Sequence, residues 1–173
     1  DAGFLERTAS TSRGLRLLRP IPGSTTQRKV AATSTKLLVA HVGRIAAGIP
    51  LEVPQDIAHT PDPENALEVT SDMLGNADPS EVFALTVQGD SMIDAMIQDG
   101  DTVILRATRE AKNGDMVAVW LPLDGETTLK HFYREKDGRI RLQPAHPTMD
   151  PIYVDASNCE IHGKVLSVLR RVK

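Results

Sequence analysis

From Val82 onward the chain is a succession of short runs rich in Val, Ile, Leu and Thr, most of them closed by a glycine or proline turn. This punctuation constrains the fold more than any other feature. The runs are 82–88, 102–106, 116–121, 127–133, 140–143, 152–154 and 160–169. Between them stand Asp99-Gly100-Asp101, Lys112-Asn113-Gly114-Asp115, Asp124-Gly125, Lys136-Asp137-Gly138 and the proline-bearing stretch 144–151. Asn-Gly and Asp-Gly pairs reverse a chain cheaply because they tolerate positive φ. Runs this short, at this spacing, predict a mainly β body with one short helix over 91–97. Further strands are expected at 38–42 and 66–70. Phe, Tyr and Trp make up only 3% of residues, so the core between these strands must be aliphatic.

The N-terminal end is a different physical object. Residues 1–50 carry eight Lys/Arg against two Asp/Glu, a net of +6, so the remainder carries −9 to give the chain's −3. A basic segment of this kind suits nucleic acid or a solvated linker equally well. Residues 1–18 read as two strands, 4–7 and 15–18, joined by a polar loop, and two strands alone do not make a domain. Residues 19–36 hold Pro20 and Pro22 among Ser, Thr, Gln, Arg and Lys with no periodic apolar face, which predicts a flexible basic linker. The expected organisation is therefore 1–18, 19–36 and a body at 37–173. Residues 51–80 are acidic and carry no recognisable chemistry.

Several chemistries are excluded or disfavoured. Cys159 is the only cysteine, which rules out an internal disulfide, a Cys-x-x-Cys redox pair and a cysteine-rich zinc site. That usage suits a reducing cytoplasm. His41, His59, His131, His146 and His162 lack ligand spacing, and Asp99 with Asp101 lacks a third oxygen ligand, so no metal is expected. No apolar run approaches the roughly 20 residues that cross a bilayer, so no membrane association is expected.

Two residues stand out against this background. Phe83, Leu85 and Val87 alternate with Ala84, Thr86 and Gln88, predicting a half-buried strand that a turn at Gly89 hands to Ser91. Ser91 begins a Ser-x-x-Asp box with Asp94, so it is either a helix cap or a serine presented at a strand-to-helix corner. Lys130 shares a strand face with Thr128 and Phe132. It is either a snorkelling surface lysine or a buried amine.

Gly89-Asp90-Ser91-Met92, Asp99-Gly100-Asp101, Asn113-Gly114-Asp115 and Thr128-Leu129-Lys130 occur in that order, and over 37–173 the chain resembles the LexA repressor family of self-cleaving serine peptidases. The resemblance implies a LexA/signal-peptidase-like β-domain in which Ser91 is the nucleophile and Lys130 the general base. It also implies an oxyanion hole from the backbone N–H groups of Asp90 and Ser91, and no cofactor. The segment Val42-Gly43-Arg44-Ile45-Ala46-Ala47-Gly48 resembles the family's cleavage region, expected over 41–50, with Ala47–Gly48 as the scissile bond. Small residues there suit a narrow cleft. Burial must lower the amine's pKa for Lys130 to act, and Asp90, the nearest acid in sequence, is expected to point away from it.

Ser12-Arg13-Gly14-Leu15-Arg16-Leu17-Leu18 resembles the wing of the family's winged helix-turn-helix, so Arg7, Arg13 and Arg16 are candidate phosphate contacts. Most of that DNA-binding domain is expected to be missing from this sequence. The implied partners are an activated RecA filament on single-stranded DNA, operator DNA through the missing domain, and a second copy through residues 160–169. The implied role is repression of DNA-damage (SOS) genes, relieved by self-cleavage. Competing readings are a phage repressor or UmuD-like protein of the same peptidase group, a non-enzymatic β dimerisation domain, and a membrane signal peptidase, the last opposed by the lack of an anchoring helix.

Overall fold

The computed structural model describes residues 5–7, 15–17, 35–46 and 63–171. The chain divides into two units, Asp1–Thr33 and Ser34–Lys173. In the first, β1 (Leu5–Arg7) and β2 (Leu15–Leu17) pair antiparallel, with Leu5 opposite Leu17 and Glu6 opposite Arg16, as the expected hairpin. Arg13 and the linker positions 19–34 lie outside the described residues.

The second unit is one nine-stranded mixed sheet. Its strands are β3 (Lys36–Ile45), β4 (Ala66–Thr70), β5 (Val82–Val87), β6 (Thr102–Ala107), β7 (Met116–Leu121), β8 (Glu126–Arg134), β9 (Ile140–Gln143), β10 (Ile152–Val154) and β11 (Glu160–Leu169). Their order is β10-β9-β8-β7-β11-β6-β5-β3-β4. Every neighbouring pair is antiparallel except β3 with β5. β4 turns back along the outer edge of β3, so β5 takes the inner edge and runs the same way as β3.

Turn chemistry set most strand boundaries as expected. Three local expectations fail. The helix predicted over 91–97 is only a 3-10 turn, Ile93–Ala95, because Met92 and Ile97 both plunge into the core and Met96 adopts a left-handed φ of 62°. A single helical turn, α1 (Ser71–Leu74), was not expected; it buries Leu74 on the far side of the sheet with Val39, Val69, Val82, Ala84 and Ile104. That packing also explains why β5 is not the half-buried strand its alternation suggests. Phe83, Leu85 and Val87 enter one core cluster and Val82 and Ala84 another, so the strand is covered on both faces.

β11 holds the two halves of the sheet together. Its first part pairs with β7, from Glu160 opposite Trp120 to Lys164 opposite Val117. Its second part pairs with β6, from Gly163 opposite Ala107 to Leu169 opposite Thr102. Irregularities between Ile161 and Gly163 and between Val165 and Ser167 bend the strand at the change of partner. Gly163 sits at the overlap. A Cβ there would lie 2.9 Å from Phe83 Cζ, 3.0 Å from Cε1 and 3.1 Å from the Arg106 carbonyl. Phe83 is fully buried and cannot swing into solvent. Gly163→Ala should therefore destabilise the body by about 1–3 kcal/mol through overpacking. The check is a lowered urea midpoint at unchanged slope; an unmoved midpoint would mean that the ring yields.

Candidate active site

The turn after β5 is built from the backbone outward. Gly89 has φ of 98°, a conformation that favours glycine, and its N–H donates to Asp99 Oδ1 at 2.9 Å. The Gln88 N–H donates to the Ile45 carbonyl at 2.9 Å, tying the turn to the end of β3. Met92, 2% exposed, inserts among Ile45, Val87, Ile97 and Leu129 and fixes the residue before it. Ser91 is thus held between a hydrogen-bonded glycine and a buried methionine.

Ser91 does not cap a helix. Met92 occupies the N-cap position of the 3-10 turn and no side chain caps it. The Ile93 and Asp94 N–H groups donate instead to the carbonyls of Asp90, at 3.0 Å, and Ala145, at 2.8 Å. The Ser91 hydroxyl faces Lys130, whose Nζ lies 2.9 Å from Oγ. Among the described residues no hydrogen bond occupies the N–H groups of Asp90 and Ser91.

Lys130 is not a surface lysine. It stands on β8 opposite Val117 and is 7% exposed. Its amine also donates to Thr128 Oγ1 at 2.7 Å and to the Leu129 carbonyl at 3.0 Å. These three partners suit either protonation state. The ammonium donates to all three; the neutral amine donates to Thr128 and Leu129 and turns its lone pair toward the Ser91 hydroxyl. Burial pushes the pKa of Lys130 from 10.5 down to about 8, against the opposing pull of the Glu126 carboxylate. The Asp90 carboxylate lies 3.8 Å from His146 Nε2, and the acid that acts on the amine is Glu126. Glu126 is the acid that sequence reasoning overlooked, although it stands four residues before Lys130 on the same strand face, where period-2 counting finds it.

The Ser91–Lys130 pair opens into a cleft of about 420 Å³. Ile45, Ala46, Glu126, Thr128, Met149 and Asp150 are among the residues that line it. Ala46 is there because β3 kinks. Its register on β5 shifts between His41 and Arg44, where Gly43 adopts φ of 129°, and resumes with Arg44 opposite Thr86 and Ile45 opposite Val87. His41 Nε2 meets Thr86 Oγ1 at 2.8 Å and secures the kink. Ala47 and Gly48, the expected scissile pair, follow directly but lie outside the described residues.

Asp99 and Asp101 are engaged within the protein. Asp99 accepts from Gly89, and Asp101 accepts from the Gln98 N–H and from Arg170, so this pair builds the turn. Among the described residues no cluster of three His, Cys, Asp or Glu is arranged to hold a metal, and no helix is long and apolar enough to cross a membrane. Burial raises the Cys159 thiol to about 11. It is not a nucleophile at neutral pH.

Residues 40–166 match the family model described as Peptidase S24-like. The chain is 43% identical over 170 residues to the LexA repressor of Roseiflexus sp. (strain RS-1), an alignment covering 97% of this chain and 73% of the relative. It is 38% identical over 173 residues to the LexA repressor of Herpetosiphon aurantiacus, covering 98% and 75%. With that of Staphylococcus aureus (strain Newman) it is 41% identical over 132 residues, covering 76% and 58%. The mainly β body, the serine at its strand-end turn and these likenesses agree, and the chain belongs to the LexA repressor family and carries a Peptidase S24-like domain.

Proposed function

We propose that this repressor inactivates itself by cutting its own Ala47–Gly48 bond with a Ser91/Lys130 dyad. The observation that carries the reading is that a buried lysine amine touches the Ser91 hydroxyl in the same cleft into which β3 delivers Ala46. Neutral Lys130 takes the Ser91 proton as Oγ attacks the Ala47 carbonyl carbon. The oxyanion so formed is received by the N–H groups of Asp90 and Ser91. The Lys130 ammonium then passes its proton to the Gly48 nitrogen, the C–N bond breaks, and Ala47 is left as an ester of Ser91. Water, deprotonated by Lys130, hydrolyses that ester. The products are an Ala47 carboxylate and a Gly48 amine. Holding substrate and nucleophile on one chain supplies much of the acceleration, because attack becomes unimolecular.

A peptidase of this kind in a repressor must be idle until needed. An activated RecA filament on single-stranded DNA raises the rate by binding the cleavage-competent arrangement better than the resting one. Cleavage then separates operator-binding and dimerising parts, and the DNA-damage genes are expressed in the cytoplasm. Operator DNA is bound through a winged helix-turn-helix whose wing is the β1–β2 hairpin, with Arg7, Arg13 and Arg16 on phosphates. The second copy pairs along Val165–Leu169, where β11 has left β7 and pairs only with β6.

The test is incubation of the purified chain at alkaline pH with masses taken of the products. Fragments 1–47 and 48–173 are expected, and none from Ser91→Ala. An intact wild-type chain, with or without activated RecA, would remove the reading. Glu126 refines the expectation. Its carboxylate holds the Lys130 pKa up, so Glu126→Gln should move the midpoint of the pH–rate curve to lower pH and speed cleavage at neutral pH. A midpoint that stays put would show that Glu126 does not act on the amine.

A further inference from the structure

One ion pair with a buried carboxylate and a partly exposed guanidinium, 42% exposed, lies outside the dyad and its cleft. Asp101 ends the loop that starts at Gln88, and its side chain is 2% exposed. Arg170, just beyond the end of β11, meets it with both arms of the guanidinium: Nε donates to Oδ1 at 2.8 Å and Nη2 to Oδ2 at 2.7 Å. Nη2 also donates to the Met96 carbonyl at 2.9 Å. Met96 is the residue whose left-handed backbone ends the turn that follows Ser91; its N–H donates to the Ile93 carbonyl at 2.9 Å, and its side chain is 81% exposed. Among the described residues it is the only non-glycine with positive φ. Such a conformation persists only where its surroundings enforce it.

The rest of the loop is fastened at its other points. Val87 and Asp101 exchange the hydrogen bond that closes its base, Val87 N–H to the Asp101 carbonyl at 2.8 Å, and Gly100 N–H returns to Val87 at 2.9 Å. Asp99 holds Gly89. Met92 and Ile97 anchor the middle in the core. Between those two anchors the Asp94 N–H is tied to the Ala145 carbonyl and the Met96 N–H to that of Ile93, and among the described residues Arg170 is the side chain that holds the Met96 carbonyl. The same guanidinium neutralises the Asp101 carboxylate, which its hydrogen bond holds below the ordinary carboxylate range.

We propose that Arg170 is a positioning residue for Ser91: by bridging Asp101 and the Met96 carbonyl, it locks the 90–97 turn so that Ser91 Oγ stays in reach of Lys130 Nζ. It touches neither substrate nor reacting atoms. This inference rests on the dyad reading above. It makes the C-terminal end of β11 a working part of the cleavage machinery, although Arg170 is 79 positions beyond Ser91 in sequence.

The experiment measures self-cleavage of the full chain from pH 6 to 11 for wild type, Arg170→Ala, Arg170→Lys and Asp101→Asn, with unfolding curves for each. Arg170→Ala should lower the high-pH plateau rate about 10- to 100-fold, the loss expected when a group remote from the chemistry lets a reacting atom drift by about an ångström. The pH midpoint should not move, because Lys130 keeps its surroundings. Lysine at 170 should recover little, since a point charge cannot bridge three acceptors as a planar fork does. Millimolar guanidinium, far below denaturing levels, should restore part of the plateau in Arg170→Ala and none in a variant that also carries Asp101→Asn. A folded Arg170→Ala that cleaves at the wild-type plateau overturns the proposal, as does a slowed variant whose midpoint shifts and which guanidinium does not rescue. If Arg170→Ala fails to fold, Arg170→Lys and Asp101→Asn decide by the same plateau and midpoint criteria. A wild-type chain that never cleaves would instead remove the dyad reading itself.

Discussion

Lys130→Ala is expected to slow self-cleavage about 10²- to 10⁴-fold, the usual contribution of a positioned base, and to abolish the pH dependence centred near 8. The sign follows from the active protonation state. In the proposed dyad Ser91 loses its proton to a neutral amine, so the rate should climb as pH rises through the Lys130 pKa of about 8 and flatten above it. Without the amine, the residual rate should track hydroxide and show no plateau in that window. Quantifying fragments by mass across pH 6 to 11 checks both parts. A variant that keeps the midpoint would transfer the base role to another group.

The same lysine should be a burden on stability, and Lys130→Met is expected to raise the unfolding free energy at pH 7 by about 1–3 kcal/mol. In the unfolded chain the amine titrates near 10.4, whereas in the folded protein burial lowers it to about 8. The unfolded state therefore binds more protons between those values, and stability rises with pH across that window. Below about pH 8 the penalty is fully present, on the order of 3 kcal/mol before the amine's hydrogen bonds are counted. Methionine removes the charge and fills similar volume, but it strands the Thr128 hydroxyl and the Leu129 carbonyl, which offsets part of the gain. Urea unfolding of wild type and variant at pH 7 and pH 10.5 should show the difference shrinking at the higher pH. Equal stabilities at pH 7 would mean that the amine is effectively solvated.

How much of this was legible in the sequence follows from how local each feature is. Strand positions were readable because Asp-Gly and Asn-Gly turns act within a few residues. The order of strands was not, since nothing in Glu160–Leu169 announces that it inserts between β7 and β6, or that β3 and β5 run parallel. α1 escaped because one helical turn without a side-chain cap leaves no periodic signal. Ser91 and Lys130 were each ambiguous alone; the family likeness joined them, and their 2.9 Å contact distinguishes that pairing from cap and snorkel. Arg170 had no signal at all, because its partner Asp101 lies 69 positions away and reads as half of a turn.

The parallel pairing of β3 bears on what happens after the peptide bond is gone. The proposed cut following Ala47 would leave β3 on the upstream product, yet β3 is an interior strand, hydrogen-bonded to β4 on one side and β5 on the other. Val39 and Ile45 remain buried in two of the core clusters. The nicked molecule is then a non-covalent complex of two complementary fragments, and its halves part only when a whole strand is withdrawn from the sheet. Chemistry and separation become distinct events with distinct clocks. On the proposed reading, the lifetime of the cut but undivided repressor would be set by the sheet and not by the serine.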